Sequence, residues 1–389
     1  MHAPSRIFIL CILGLLIISA LATTCLYWHI YGFAKLFGDF NTFRSAALHA
    51  AAHQLDAVYD IARVSRLLAT NNLKDFAFFL NPPTGLFIVY PLAWFDSVPA
   101  LILWNIAQFA LLFAVFRTDY VQYLFRQAGH GAVNTYALLG ISFVAFSTQN
   151  ILYGQVAVFC AALFLSVLAW RKSHPILAGI VLGIFSFKPQ LGILLPLLLL
   201  AEGNWKVLVW TLFTTLVMIA LSLGIWGPGL WKDYGQMVTI RSEFLTANPS
   251  FLFIISTSAY AAIRNLGASA TTGILLQVAL SASLLAMIWP VLRRSQESHK
   301  ILMLTLCTYL VTPYSLVYDI PLLAIPCALI MRRAEANKSS PLELMALVLL
   351  VLTPMAIIVL QISHIPYSVI AIGFTLIVAR ILIMREQHG

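Results

Sequence analysis

Mostly uncharged runs of 15 to 23 apolar residues recur from one end of this chain to the other, and that repetition decides the environment in which it folds. A helix needs about 20 such residues to cross a hydrocarbon layer roughly 30 Å thick. Composition agrees: hydrophobic residues make up 61% of the 389 residues and charged ones 10%, against about 45 to 50% and 25% in a soluble domain. A water-soluble fold is excluded. A transmembrane barrel would need alternating segments of about ten residues, and these are absent. The expected fold class is an all-α polytopic membrane protein.

The apolar runs fall near 6–28, 82–95, 98–116, 132–149, 151–170, 174–187, 189–201, 205–226, 271–292, 299–314, 316–331, 341–361 and 365–384. No linker or change of composition divides them, so residues 1–389 read as one domain. The first run is longer than a signal-peptide core and no small-residue cleavage site follows it, which predicts an uncleaved first helix. Basic clusters at Arg171–Lys172, Lys206, Arg293–Arg294 with Lys300, Arg332–Arg333 with Lys338, and Arg385 mark a cytoplasmic face. Arg6 and Arg385 then lie on the same side, so one run does not cross. The candidate is 82–95, whose prolines open and interrupt it and whose fourteen residues would rise only ~21 Å as a helix. About twelve crossings remain, within a range of about 11 to 13. Residues 29–81 form a long loop on the other face, with apolar residues at helical spacing opposite Arg, His and Asp, which predicts one or two amphipathic helices in the interface.

The net charge of +9 sits in those short clusters between spans, so it specifies orientation rather than nucleic-acid binding. The 5 cysteines lie in or beside apolar runs without metal or disulfide spacing and read as packing residues. No His or carboxylate cluster has metal-ligand spacing and no glycine-rich nucleotide loop occurs, so neither metal nor cofactor is expected.

The polar residues gather in turns of the face opposite the basic clusters. Asp39, in "GDFNTFR", is either a helix cap, like Asn41 beside it, or a general base at the mouth of a membrane site. Lys188, in "GIFSFKPQLGILL", is flanked by apolar sequence and followed by a proline that breaks the helix there. It either snorkels to the interface or binds an anionic group. Gln155, behind Gly154, either orients a sugar hydroxyl or caps neighbouring turns. Asp319 is the one acid in the last turns of this face, flanked by Tyr314 and Tyr318, and reads as a functional candidate or an N-cap. Arg241, Glu243 and Asn248 belong to a segment that is either an ordinary polar loop or part of the site. His364 reads as a boundary residue.

In order along the chain come an acid after the first helix, then "NPPTGLFIVYPLAWF", "NILYGQVAVFCAALFLSVLAW", "AGIVLGIFSFKPQLGILLPLLLL", "NPSFLFII" and "TPYSLVYDIPLLAIP". This order resembles that of glycosyltransferase family 87, over roughly Asp39 to Pro326, with the GQ and KP segments in tandem as its specific part. The resemblance implies a GT-C-type helical bundle and a polyprenyl-phosphate-linked sugar donor, commonly of mannose or arabinofuranose, used at the external membrane face. It makes Asp39 the base and puts Lys188 beside the donor phosphate; from the charge inventory, Arg241 or Tyr318 is expected to help stabilise that phosphate. Gln155 and Asn248 would orient hydroxyls, and Asp319 joins the substrate-binding set. Some relatives carry paired histidines where this chain has Tyr318 and Asp319, so the chain resembles a Tyr-Asp variant. The implied partners are the lipid-linked donor, an envelope glycan or glycolipid acceptor and the bilayer of the plasma (inner) membrane. The rival expectation is a transporter or flippase of envelope precursors, although such proteins often show inverted repeats and helices broken at mid-membrane.

Overall fold

The computed structural model describes residues 3–31, 37–69, 78–247 and 256–362. Asn248, His364, Arg385 and the run at 365–384 lie outside the described residues. Within them the protein is helical throughout and contains no strand. The helices are α1 (Ala3–Tyr31), α2 (Gly38–Ala51), α3 (Asp56–Tyr59), α4 (Ile61–Ala69), α5 (Leu86–Val89), α6 (Ser97–Phe116), α7 (Asp119–Ala128), α8 (Thr135–Tyr153) and α9 (Ala157–Trp170). They continue as α10 (Pro175–Ile184), α11 (Leu195–Ala201), α12 (Trp205–Ala247), α13 (Ala259–Asn265), α14 (Ala270–Arg294), α15 (Glu297–Val311), α16 (Ala324–Glu335) and α17 (Pro341–Ile362). Among the described residues five helices are long and apolar enough to cross a membrane: α1, α6, α8, α12 and α14. This is a polytopic membrane protein.

Helix starts follow side-chain chemistry. Thr118, Asn134, Ser258 and Ser269 accept from backbone N–H groups in the first turns of α7, α8, α13 and α14, pairing donors that a helix start leaves free. Close packing follows residue size. A Cβ on Gly179 would lie 2.5 Å from Cβ of Trp210, and one on Gly183 2.5 Å from Cβ of Thr214. The small-xxx-small spacing on α10 therefore lets α12 approach backbone to backbone.

Two segments differ from the sequence expectation, 189–201 and the stretch after 226, whereas 82–95 is interrupted at its prolines as expected. Residues 82–95 form a 3-10 turn at Pro83–Gly85, the single turn α5, and a second 3-10 turn at Tyr90–Trp94; the prolines break it. The run at 189–201 contains only a 3-10 turn and the seven-residue α11, ~10 Å of helix. The segment after 226, expected as a turn, is helical to Ala247, with α12 breaking at Gly227 and Pro228. The loop after α1 carries three helices, α2 to α4, where one or two were expected. The amphipathic α7 was not anticipated.

One end of the bundle is tied by ion pairs. Arg171, 1% exposed, meets Glu202 at 2.8 Å and Glu297 at 2.5 Å. Lys172 pairs with Glu297 at 3.0 Å and Lys300 with Glu202 at 3.3 Å. The α7 helix crosses this end, with Tyr120 donating to Glu297 and the Gln127 side chain accepting from the Ser298 N–H. Arg332 pairs with Glu335, and Arg333 with Glu343. Thus several residues read as orientation signals also bind one end together. Burial opposes ionisation of Glu202, but its bonds to Arg171 prevail and hold its carboxyl below the ordinary range. Of the cysteines, Cys160, Cys307 and Cys327 are buried as expected of packing residues, whereas Cys11 and Cys25 face outward from α1.

Candidate functional site

At the other end, the α8–α9 turn is the foundation. Gly154 ends α8 with φ +70°, a left-handed conformation that glycine adopts without a Cβ penalty. The Gln155 N–H donates to the Asn150 carbonyl at 2.8 Å, and Asn150 Oδ1 accepts from the Ala157 N–H at 2.7 Å. Helix α2 packs onto this turn so closely that a Cβ on Gly154 would stand 2.4 Å from the Phe40 Cβ. The Phe37 N–H donates to the Leu152 carbonyl at 2.8 Å. These contacts deliver Asp39 to Gln155, whose Nε2 donates to Asp39 Oδ2 at 2.8 Å.

Neither Asp39 nor Asn41 is the helix cap. The cap position is Phe37, itself left-handed and making no side-chain cap bond, with Asp39 inside the first turn. There the helix dipole favours a negative charge. Asp39 is partly exposed, yet burial raises its carboxyl pKa; the Gln155 bond and the charges of Lys188 and Arg241 oppose that rise, while Asp319 adds to it.

Lys188 stands between two 3-10 turns, Phe185–Phe187 and Pro189–Leu191, where Pro189 denies it a helical conformation. It does not snorkel. Its side chain is buried and its Nζ meets Asp319 Oδ1 at 2.5 Å. Nor does Asp319 cap the turn at Ile320–Leu323. Its second oxygen accepts from the Leu316 N–H at 3.1 Å, and its carbonyl accepts from the Tyr309 hydroxyl at 2.7 Å. The Tyr318 ring lies 5.4 Å from Lys188 Nζ and 5.5 Å from the Tyr153 ring. Arg241, half-buried, places its guanidinium 5.1 Å from the centre of the Tyr314 ring. Among the described residues it has no carboxylate partner.

The cluster therefore brings together Asp39, Gln155, Lys188, Asp319, Tyr318 and Arg241 from distant parts of the chain. Lys188 is held by Asp319, while Asp39 bonds the neutral Gln155 amide and Arg241 has no carboxylate partner among the described residues. Glu243 is exposed and takes no part. Sequence reading missed Trp104, Gln108, Asn150 and Tyr153; the available signal was a glutamine inside an apolar span. Among the described residues no group of three or more His, Cys, Asp or Glu side chains is gathered as for a metal.

A family model described as Glycosyltransferase family 87 matches residues 79–319, more than half of the chain. The protein belongs to glycosyltransferase family 87. Neither the curated proteins nor the solved structures compared with it include a match. The family match takes in Gln155, Lys188, Arg241 and Tyr318 and ends on Asp319, whereas Asp39 precedes it. This family 87 member thus brings α2 onto the matched region through the Asp39–Gln155 bond.

The seat of α2 gives a direct test. Gly154→Ala puts a methyl group against Phe40, adjacent to Asp39, and forces a left-handed alanine. Overpacking costs about 1 to 3 kcal/mol and the backbone about 1 to 2 kcal/mol more. The expected result is a lowered thermal midpoint together with a loss of transfer activity, since relief requires α2 to move. Wild-type values for both would show that α2 does not seat on this turn.

Proposed function

We propose that this glycosyltransferase moves a sugar, a hexose such as mannose or a pentose, from a polyprenyl-phosphate donor to a hydroxyl of an envelope glycan or glycolipid. The chain would act as one domain in a GT-C-type bundle of about twelve crossings, in the plasma membrane with its site on the external face. The observation that carries this reading is the convergence of Asp39 on the Lys188–Asp319 pair and Arg241. The opposite end of the bundle holds the basic clusters expected on the cytoplasmic side.

The acceptor oxygen attacks the anomeric carbon as the bond from that carbon to the phosphate oxygen breaks, and the acceptor proton passes to the Asp39 carboxylate. The polyprenyl phosphate leaves as a stable anion, so no strong general acid is needed. One base opposite the leaving group gives inversion, by analogy with inverting hydrolases. Arg241, with no acid to neutralise it, and Lys188, with Tyr318 donating, stabilise the charge that develops on the phosphate. Gln155 orients the base, and Asn248 remains a candidate for binding a hydroxyl. Family membership favours transfer over precursor flipping.

Purified protein in nanodiscs, supplied with radiolabelled polyprenyl-phosphate sugars or with nucleotide sugars and a panel of envelope acceptors, tests the donor class. Labelled product is expected from the lipid-linked donors alone. Product formed from a nucleotide sugar without lipid carrier would overturn the donor assignment.

A further inference from the structure

Gln108 lies in the twenty-residue apolar helix α6 and is 3% exposed, where a side-chain amide is costly unless its donors and acceptor are paired. Its pairing converges on the α8–α9 turn. Nε2 donates to the Gln155 carbonyl at 3.1 Å, and Oε1 accepts from the Phe159 N–H at 3.2 Å. One turn earlier on α6, the buried Trp104 places its indole Nε1 3.2 Å from the Gly154 carbonyl oxygen and 3.3 Å from that of Gln155. Asn150 holds the same turn from α8, accepting from the Gln155 and Ala157 N–H groups. The Gln155 main chain is therefore fixed through its N–H and its carbonyl, and its side chain is directed at Asp39.

We propose that Gln108, assisted by Trp104, is a positioning residue for the transfer reaction: by clamping the Gln155 main chain it keeps the Gln155 amide donating to Asp39. The clamp on Gln155 is independent of the reaction, while its catalytic meaning rests on the reading of Asp39 as the base. Removing the Gln108 donor leaves the Gln155 carbonyl with only an indole N–H shared with Gly154. The turn then rotates more freely and the amide no longer dwells on the carboxylate. An amide donating to an ionised carboxylate favours that form, so its loss moves Asp39 ionisation to higher pH. The other groups acting on Asp39 are Lys188, Arg241, Asp319 and Tyr318. The titratable groups on the elements packed around α2 are Asp56 and Tyr59 on α3, Tyr90 on the 3-10 turn Tyr90–Trp94, and Tyr136 and Tyr153 on α8. None of these is altered by a change at Gln108.

The experiment uses the full chain in nanodiscs as wild type, Gln108→Met, Gln155→Met, the double variant and Trp104→Phe, with Asp39→Asn as spectroscopic reference. Infrared titration of the Asp39 carboxyl and the pH–rate profile of transfer are read on each. Gln108→Met is expected to move the titration to higher pH, in the same direction as Gln155→Met. The double variant should match Gln155→Met alone, because Gln108 acts through Gln155. Transfer should fall roughly tenfold at the acid end, as loss of a hydrogen bond to a charged group implies, and recover toward high pH. Trp104→Phe should give a smaller change of the same sign and serves if Gln108→Met does not fold. Activity lowered equally at every pH with the Asp39 titration unmoved would overturn the proposal, as would a Gln108 effect that persists undiminished without the Gln155 amide. A moved titration in a protein whose Asp39→Asn form transfers sugar normally would uphold the clamp and reject Asp39 as the base.

Discussion

Asp39→Asn abolishes transfer, by about 10² to 10⁴-fold as expected for loss of a general base, in a protein at least as stable as the wild type. The asparagine keeps an oxygen for the Gln155 amide, so the contact that seats the side chain survives. The stability half of the prediction follows from linkage. Burial raises the Asp39 carboxyl above its unfolded value. Between the two values the folded state binds more protons than the unfolded one, so stability falls as pH rises through that window and the cost is complete above the folded value. At neutral pH the ionised carboxylate therefore costs stability, and Asn removes the cost. Rate runs the other way: the base must be ionised, so transfer declines on acidification with a midpoint above the ordinary carboxylate range. Such a trade of stability for activity is common at active sites. A variant that retains full activity, or one that is inactive because it unfolds, contradicts the assignment.

Lys188→Met has the second large effect, and its value lies in separating two roles. Removing the lysine leaves Asp319 buried, 1% exposed, without its counterion. Breaking such a pair costs about 3 to 5 kcal/mol. The expected result is a poorly folded single variant and recovery of most of that stability in Lys188→Met/Asp319→Asn, where no charge is stranded. Donor affinity should remain weak in the double variant, because the cation near the leaving phosphate is still gone. Thermal unfolding and donor binding, measured on both, decide the matter. Recovery of stability and donor affinity together would make Lys188 a structural residue only.

The sequence made the long spans visible because α1, α6 and α14 are apolar for longer than any soluble helix requires. It also segregated basic clusters from polar turns, and the ends of the bundle follow that division: Arg171 is netted to Glu202 and Glu297 at one end, Lys188 to Asp319 at the other. Segments such as "WKDYGQMVTIRSEFLTA" were illegible as helix, since a polar sequence after a glycine and proline reads equally well as a loop. Pairing was illegible for a different reason. Asp39 and Gln155 are 116 residues apart and Lys188 and Asp319 131 apart, so no local spacing encodes either contact. Both carboxylates were expected as possible caps because a lone acid beside a helix start carries that ambiguity. Packing resolves it by giving each acid a distant donor.

The most direct measurement is a structure of the Asp39→Asn variant with a polyprenyl-phosphate sugar bound in a lipid nanodisc. The account predicts the donor phosphate within hydrogen-bonding reach of Arg241 and Lys188, with the anomeric carbon presented toward residue 39. A donor phosphate bound at the Arg171–Glu202 end of the bundle, or a sugar ring facing away from residue 39, would contradict it.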